Sequence, residues 1–172
     1  MEKCILVISD QHIPHHHTDM MAFLRAIKKK YKPTRIVNIG DEIDGHAISY
    51  HSPNPDLASA GDELKKAIDV IHELEDLFPK MDLVDSNHGS LAYRKAKAMG
   101  MPSAYIKPYG DVLEAPKGWN WYDELVLQDV ESNMEIMIRH QFKKNPLICA
   151  QQMGMSVIQG HFHEDFNVQY VS

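Results

Sequence analysis

The chain is 172 residues long, 44% apolar and 24% charged, the size of one domain with enough apolar side chains for a sizeable core. Its formal charge of −6 argues against a broad electrostatic grip on duplex nucleic acid, where a basic surface normally supplies most of the affinity. The apolar run Cys4 to Ile8 is too short for a membrane span or the core of a signal peptide, so a soluble, cytoplasmic, single-domain protein spanning residues 1–172 is expected.

In chain order, Ile5 to Ser9 and Arg35 to Ile39 read as short buried strands, each ending at a carboxylate-bearing motif. Between them Met20, Leu24, Ile27 and Tyr31 recur at helical spacing, with Thr18 as N-cap and Pro33 as stop. A second helix is signalled by Ser59 with Asp62 three positions on, then by the stripe Leu64, Ile68, Ile71, Leu74 and Phe78 before Pro79. Met81 to Val84 returns as a strand, and a short helix runs from about Leu91 to Gly100. From Met101 to Tyr122 prolines and glycines break every pattern, which reads as an irregular ordered excursion. Glu124 to Gln128 and Met134 to Arg139 read as two strands joined by a turn at Glu131, Ser132 and Asn133. Asn145 and Pro146 open a helix that Gly154 closes, Met155 to Ile158 forms another strand, and Phe166 to Val171 could form one more. Cys4 and Cys149 fall in a strand and a helix, as inert thiols rather than a disulfide framework.

Five short islands punctuate these elements: Asp10-Gln-His12, Gly40-Asp41-Glu-Ile-Asp44, Asn87-His88, His140 and Gly160-His161-Phe-His163. Together they offer carboxylates, an amide oxygen and imidazoles, a donor set for two divalent ions that needs no thiolate. Two ions about 3.5–4 Å apart require a ligand able to bridge them, which a carboxylate does and an imidazole does not readily do. His161 and His163 stand two apart, which points both imidazoles the same way on an extended backbone.

In this order the islands resemble the calcineurin-like metallophosphoesterase superfamily, with its pattern DxH, GDxxD, GNH(D/E), a lone His and GHxH, and the match runs from Asp10 to His163. The resemblance implies an α+β fold, a four-layer α/β/β/α sandwich of two mixed sheets face to face with helices outside. It implies Asp10, His12 and His163 on one metal, Asn87, His140 and His161 on the other, and Asp41 bridging the two. It also implies His88 as the catalytic histidine, touching the phosphate and protonating the leaving oxygen, while hydroxide generated at the ion pair attacks phosphorus. Manganese is the first expectation for the metal, with iron, zinc, nickel and cobalt as alternatives. Family domains continue with further strands after GHxH, so a compact or shortened version is expected. The substrate would be a phosphate ester, a nucleotide or a nucleic-acid end, favouring a nucleotide phosphomonoesterase over a phosphodiesterase or nuclease; a scaffold that has lost catalysis and binds partner proteins is the non-enzymatic alternative.

Each assignment has a plainer competitor. Asp10 and His12 alone would read as a cap or surface turn, Asp41 and Asp44 as Asx-turn residues, and His140 as a hydrogen-bonded strand-end histidine. Asp44 is assigned only a supporting contact. The run His15-His16-His17 reads as a solvated loop, although His15 could face the cleft. Arg94, Lys95 and Lys97 read first as a solvated helix face. His46, His51 and Arg94 are kept as candidate substrate contacts. Two positions depart from the family: Gly89 stands where an acidic residue orients the histidine, and Ser86 replaces a glycine. Asp85 or Asp111 is expected to take over the orienting role, since such supporting contacts are worth about 10–100-fold.

Overall fold

The computed structural model describes residues 4–52, 54–129, 132–164 and 166–170. It is an α+β protein with two sheets and five helices among these residues. The first sheet is four-stranded and parallel, in the order β1 (Ile5–Ile8), β2 (Arg35–Asn38), β3 (Met81–Val84) and β4 (Trp119–Tyr122). The second pairs β5 (Leu125–Asp129) antiparallel to β6 (Met134–Arg139), and β6 parallel to β7 (Ser156–Gln159). Five helices accompany them: α1 (Met20–Tyr31), α2 (Ala60–Leu77), α3 (Leu91–Ala98), α4 (Tyr109–Val112) and α5 (Pro146–Met153).

Two cores hold these elements together. In the first, Met21 and Leu24 of α1 and Ala67, Ile71 and Leu74 of α2 pack with Phe78 against Ile8, Ile36, Met81 and Leu83 of the parallel sheet. Ile71 and Leu74 are fully buried, and each such side chain contributes about 1.5–3 kcal/mol. In the second, Val37, Ile39 and Val84 meet Leu125, Leu127 and Ile138, so the two sheets share an apolar interface. Arg35 ties β2 to β3 through a paired contact with Asp82, Nε at 2.8 Å and a second guanidinium nitrogen at 2.7 Å.

Most elements fall where hydropathy places them, and the departures have physical reasons. Ser59 caps α2 by accepting the Asp62 N–H at 3.2 Å, as its spacing suggests. At α1 the cap position belongs to Asp19 rather than Thr18, and no side chain closes it. The buried stripe of α2 runs through Glu63, Ala67, Ile71 and Leu74, so Leu64 and Ile68 are only half-buried. The excursion after Met101 is not irregular throughout: Trp119–Tyr122 pairs in parallel with Met81–Val84 and completes the first sheet. Its entry explains why the local pattern hides it, because a Cβ on Gly118 would run into the Pro79 carbonyl and would stand 3.3 Å from the Lys80 side chain. Phe166 to Tyr170 form no strand; Glu131 of the expected turn and Val171 of the expected last strand lie outside the described residues.

Candidate metal centre

All five islands lie just beyond the carboxyl ends of strands, the rim where open α/β sheets bind ligands. Asp10 follows β1, Asp41 follows β2, Asn87 and His88 follow β3, His140 follows β6, and His161 and His163 follow β7. The first two loops are laced to one another: Asp10 N–H donates to Gly40 O (3.0 Å), His12 N–H to Asp41 O (2.9 Å) and Ile13 N–H to Glu42 O (2.9 Å). Asp10, His12, Asp41 and His161 all have positive φ, between 48° and 69°. Non-glycine residues in this region cost about 1–3 kcal/mol each and gather where the surroundings over-determine them, typically at functional sites.

Among the described residues donor atoms gather within 4.8 Å of one another in four groups; two of them, the triplets Asp10/His12/His163 and Asp41/His140/His161, are built from expected ligands, while His12/Asp44/His88 and His15/Asp44/Glu63 adjoin them through Asp44. In the first, His163 Nε2 is 3.1 Å from Asp10 Oδ1 and 3.3 Å from His12 Nε2. In the second, His140 Nε2 is 3.1 Å from Asp41 Oδ2 and 2.7 Å from Asn87 Oδ1, and His161 Nδ1 is 3.0 Å from Asn87 Oδ1. Asp41 Oδ2 is also 3.7 Å from His12 Nε2, so this carboxylate, only 1% exposed, stands between the triplets. Two nitrogen or oxygen donors held about 2.1 Å from one ion and 90–110° apart are about 3.0–3.4 Å from each other, a range that holds the His163–Asp10, His163–His12, His140–Asp41 and His161–Asn87 separations, while His140–Asn87 is shorter and His12–Asp41 longer.

Neighbouring groups aim the imidazoles. A carbonyl only accepts, so His140 Nδ1–H donates to Ile39 O (2.9 Å) and Nε2 is turned toward Asp41. His12 Nδ1–H donates to Asp44 Oδ1 (2.8 Å), the carboxylate–histidine pairing that typically supports metal ligands. Burial opposes a proton on either ring, but for His140 the hydrogen bond and charge of Asp41, and for His12 the Asp44 hydrogen bond and three carboxylates, outweigh it and raise both pKa values. Burial likewise opposes the charge on Asp41, yet the hydrogen bond and charge of His140 hold its carboxyl down at about 2. His161 moves the other way, lowered by burial and by the neighbouring His140.

These shifts set a pH dependence. A histidine must be neutral to bind metal, and the raised values of His12 and His140 keep their protons on to higher pH in the metal-free protein. Metal uptake should therefore release protons and tighten as pH rises through the raised histidine range. The histidine contribution to metal-free stability runs oppositely, present below the ordinary histidine pKa and lost as pH climbs through the raised one. Manganese titrations in two buffers of different protonation enthalpy check this: buffer-independent heats would contradict it.

His88 sits beside this cluster, with Nε2 4.0 Å from Asp41 Oδ2. Its orienting partner is neither Asp85 nor Asp111: Nδ1–H donates to the main-chain carbonyl of Asp44, and the Asp44 carboxylate lies 3.9 Å away. Asp85 is exposed and faces a neighbouring cavity. Tyr109 packs against Gly89 where an acidic side chain would go, since a Cβ there would meet Tyr109 Cε1 and Ser86 Oγ at 3.1 Å. Ser86 is likewise built in: its hydroxyl accepts the N–H groups of Asp41 (2.9 Å) and Gly89 (3.0 Å). Opposite it, Gly40 has φ +98°, and a Cβ there would stand 2.5 Å from Ser86 Cβ.

The three candidate substrate contacts are engaged locally. His46 Nε2 accepts the Asn54 N–H at 3.0 Å, and exposed His51 bonds within its own turn to Ser49. Arg94 donates to Asn87 O at 2.6 Å and, with Lys95, lies over the Tyr50 ring, so it braces the Asn87 loop. His15 is exposed, with a ring nitrogen within 4.8 Å of carboxylate oxygens of Asp44 and Glu63.

Three residues given no role by the sequence reading complete the surroundings. Glu63 of α2 is buried and accepts the N–H groups of His46 (2.8 Å) and Ala47 (3.1 Å), fixing the chain after Asp44. Tyr109 donates its hydroxyl to Glu42 Oε2 at 3.1 Å. Burial pushes the Glu42 carboxyl up to about 7, and its Oε1 finds no hydrogen-bond partner among the described residues. Glu42 stands between Asp41 and Ile43 and Glu63 between Asp62 and Leu64, so no local pattern in the sequence marked either as buried.

No protein-family model matches the chain, and no curated protein matches it either. No helix among the described residues is long and apolar enough to cross a membrane.

Gly160 supplies a direct mutational test of the centre. A Cβ there would overlap Ser9 Oγ and stand 2.5 Å from Asp10 Oδ2. Gly160→Ala should displace the Asp10 carboxylate and weaken metal binding by about 10–100-fold, with the melting temperature of the metal-free protein little changed. Metal titration of the variant checks this, and unchanged affinity would mean Asp10 is not a ligand.

Proposed function

We propose that the protein is a metal-dependent phosphoesterase of the calcineurin-like kind, acting on a phosphate monoester of a small organic molecule. The observation that carries this reading is the convergence of two donor triplets from separate loops around one buried carboxylate, Asp41. Helices packed on the outer side of the first sheet, and a second sheet on its other side, support the four-layer arrangement that accompanies such a centre.

Asp10, His12 and His163 would hold one divalent ion, Asn87, His140 and His161 a second, and Asp41 both. Mixed oxygen and nitrogen donors admit manganese, while the thiolates that would select zinc are missing from the set. When bound, two such ions supply positive charge for phosphate oxygens and lower the pKa of water from about 15.7 toward about 7. The chain's own residues do the positioning. Asp44 fixes His12 through its carboxylate and His88 through its carbonyl, so a single residue aligns a ligand with the proposed acid. With Nδ1–H committed to that carbonyl, His88 keeps Nε2 for the phosphate and for passing a proton to the leaving oxygen.

A monoester is preferred over a nucleic-acid strand because Arg94 and Lys95, the first cations after the Asn87 loop, are spent on Asn87 O, Ser49 O and the Tyr50 ring. Nucleotides are the substrates that the sequence reading suggests. Manganese-loaded protein assayed on p-nitrophenyl phosphate and bis(p-nitrophenyl) phosphate tests the choice. At least about tenfold faster cleavage of the monoester is expected; a diester preference would make the protein a phosphodiesterase or nuclease, and metal binding without turnover of either would favour a partner-binding scaffold.

A further inference from the structure

A cavity of about 640 Å³ opens beside His88, within the 300–1,000 Å³ range common for small-molecule sites, and the chemistry proposed at the phosphate leaves it unused. It lies among α2, α3 and the segment 103–112, and it reaches the metal centre through His88 and Gly89. Its walls are aliphatic: Ile13 and Ile43 from the two laced loops, Ile48, Leu64 from the half-buried edge of α2, and Ile106 with Val112 from the excursion. Its polar side chains are either engaged within the protein or exposed: the Ser90 hydroxyl donates to Ser86 O, and Tyr93 and Ser103 are exposed. Glu63 is occupied by the His46 and Ala47 N–H groups, and the Tyr109 hydroxyl donates to Glu42. Asp85 and Lys107 are exposed side chains on its lining.

A sugar or a polynucleotide backbone placed among these walls would leave hydroxyls and phosphates without partners, at the cost that burying any unpaired polar group carries. An apolar ring system would instead exchange water for aliphatic contact. We infer that this cavity takes the organic group of the substrate, and that the substrate class is the phosphate monoester of an aromatic or other compact apolar alcohol, its phosphate lying at the metal centre beside His88. This rests on the phosphoesterase reading and narrows it, because ribose hydroxyls and base edges would find few partners here.

The test separates the two. On manganese-loaded protein turning over p-nitrophenyl phosphate, competitive inhibition by 1-naphthylmethylphosphonate is compared with that by methylphosphonate. The naphthyl compound should bind about 10–100-fold more tightly, from the apolar area it removes from water. In protein labelled at isoleucine methyl groups, 1-naphthol should shift the signals of Ile43, Ile48 and Ile106 and leave Ile136 in place. Gly61→Trp and Ala92→Trp, two variants on the cavity wall, should bring the naphthyl compound's inhibition constant toward that of methylphosphonate. A Cβ at Gly61 would meet nothing within 4 Å, and Ala92 is exposed, so folding is expected in both. Turnover with equal inhibition by the two phosphonates and no methyl shifts would overturn the cavity assignment alone. Methyl shifts with 1-naphthol but no turnover of any phosphate ester would overturn the phosphoesterase reading beneath it.

Discussion

Asp41→Asn is expected to abolish phosphoesterase activity and to remove both metal ions, although the substitution changes hardly any volume. Asp41 Oδ2 stands 3.1 Å from His140 Nε2 and 3.7 Å from His12 Nε2, one imidazole from each donor triplet. Its other oxygen accepts the His88 N–H at 3.1 Å, so the side chain cannot swing away without releasing the third loop. An amide retains part of this hydrogen bonding but gives up the charge, and its nitrogen cannot ligate. One preorganised electrostatic contact is worth about 10²–10³ in rate, and a residue serving two ions should exceed that, so a loss of about 10³-fold or more is anticipated. Metal analysis alongside the assay decides the cause: a variant that is inactive yet carries its full metal complement would show that Asp41 acts on the reaction without holding the ions.

His88→Ala is expected to separate chemistry from metal binding. His88 shares a donor group with His12 and Asp44 but with neither Asp10 nor Asp41, and its Nδ1 is held by a main-chain carbonyl, so removing the ring should leave the two triplets in place. The lost proton transfer and phosphate contact should slow turnover by about 10²–10⁴-fold with metal content unchanged. Slowing should be less severe on p-nitrophenyl phosphate than on an alkyl phosphate, because a good leaving group has less need of a proton. Loss of metal in His88→Ala would place this histidine among the ligands, and an equal penalty on both esters would remove it from the leaving-group step.

The candidate ligand positions were picked out by the resemblance of the five islands to a known pattern, and each follows a strand whose hydropathy is plain: Ile5–Ile8 leads to Asp10 and Met134–Arg139 to His140. Strand ends plus donor chemistry point to one rim without any knowledge of side-chain contacts. What supports those ligands was not legible, since it depends on main-chain atoms and on distant partners. The carbonyl of Asp44 carries no residue-type signal, whereas the Asp44 side chain was expected as a supporting contact and makes one to His12. Gly89 read as a missing carboxylate; in three dimensions it makes room for Tyr109, which reaches back to buried Glu42. Trp119–Tyr122 was hidden among prolines and glycines because its strand character comes from pairing with Met81–Val84, a tertiary contact rather than a local propensity. Leu64 fitted a helical stripe as a core residue, whereas the helix turns it toward the cavity beside His88.

The most direct measurement is a count of metal ions per chain on stripped protein titrated with manganese, run in parallel on Asp41→Asn. About two ions per chain in the unmodified protein, both lost in the variant, is the expected result. A single ion, or two that survive the loss of Asp41, would contradict a shared two-metal centre.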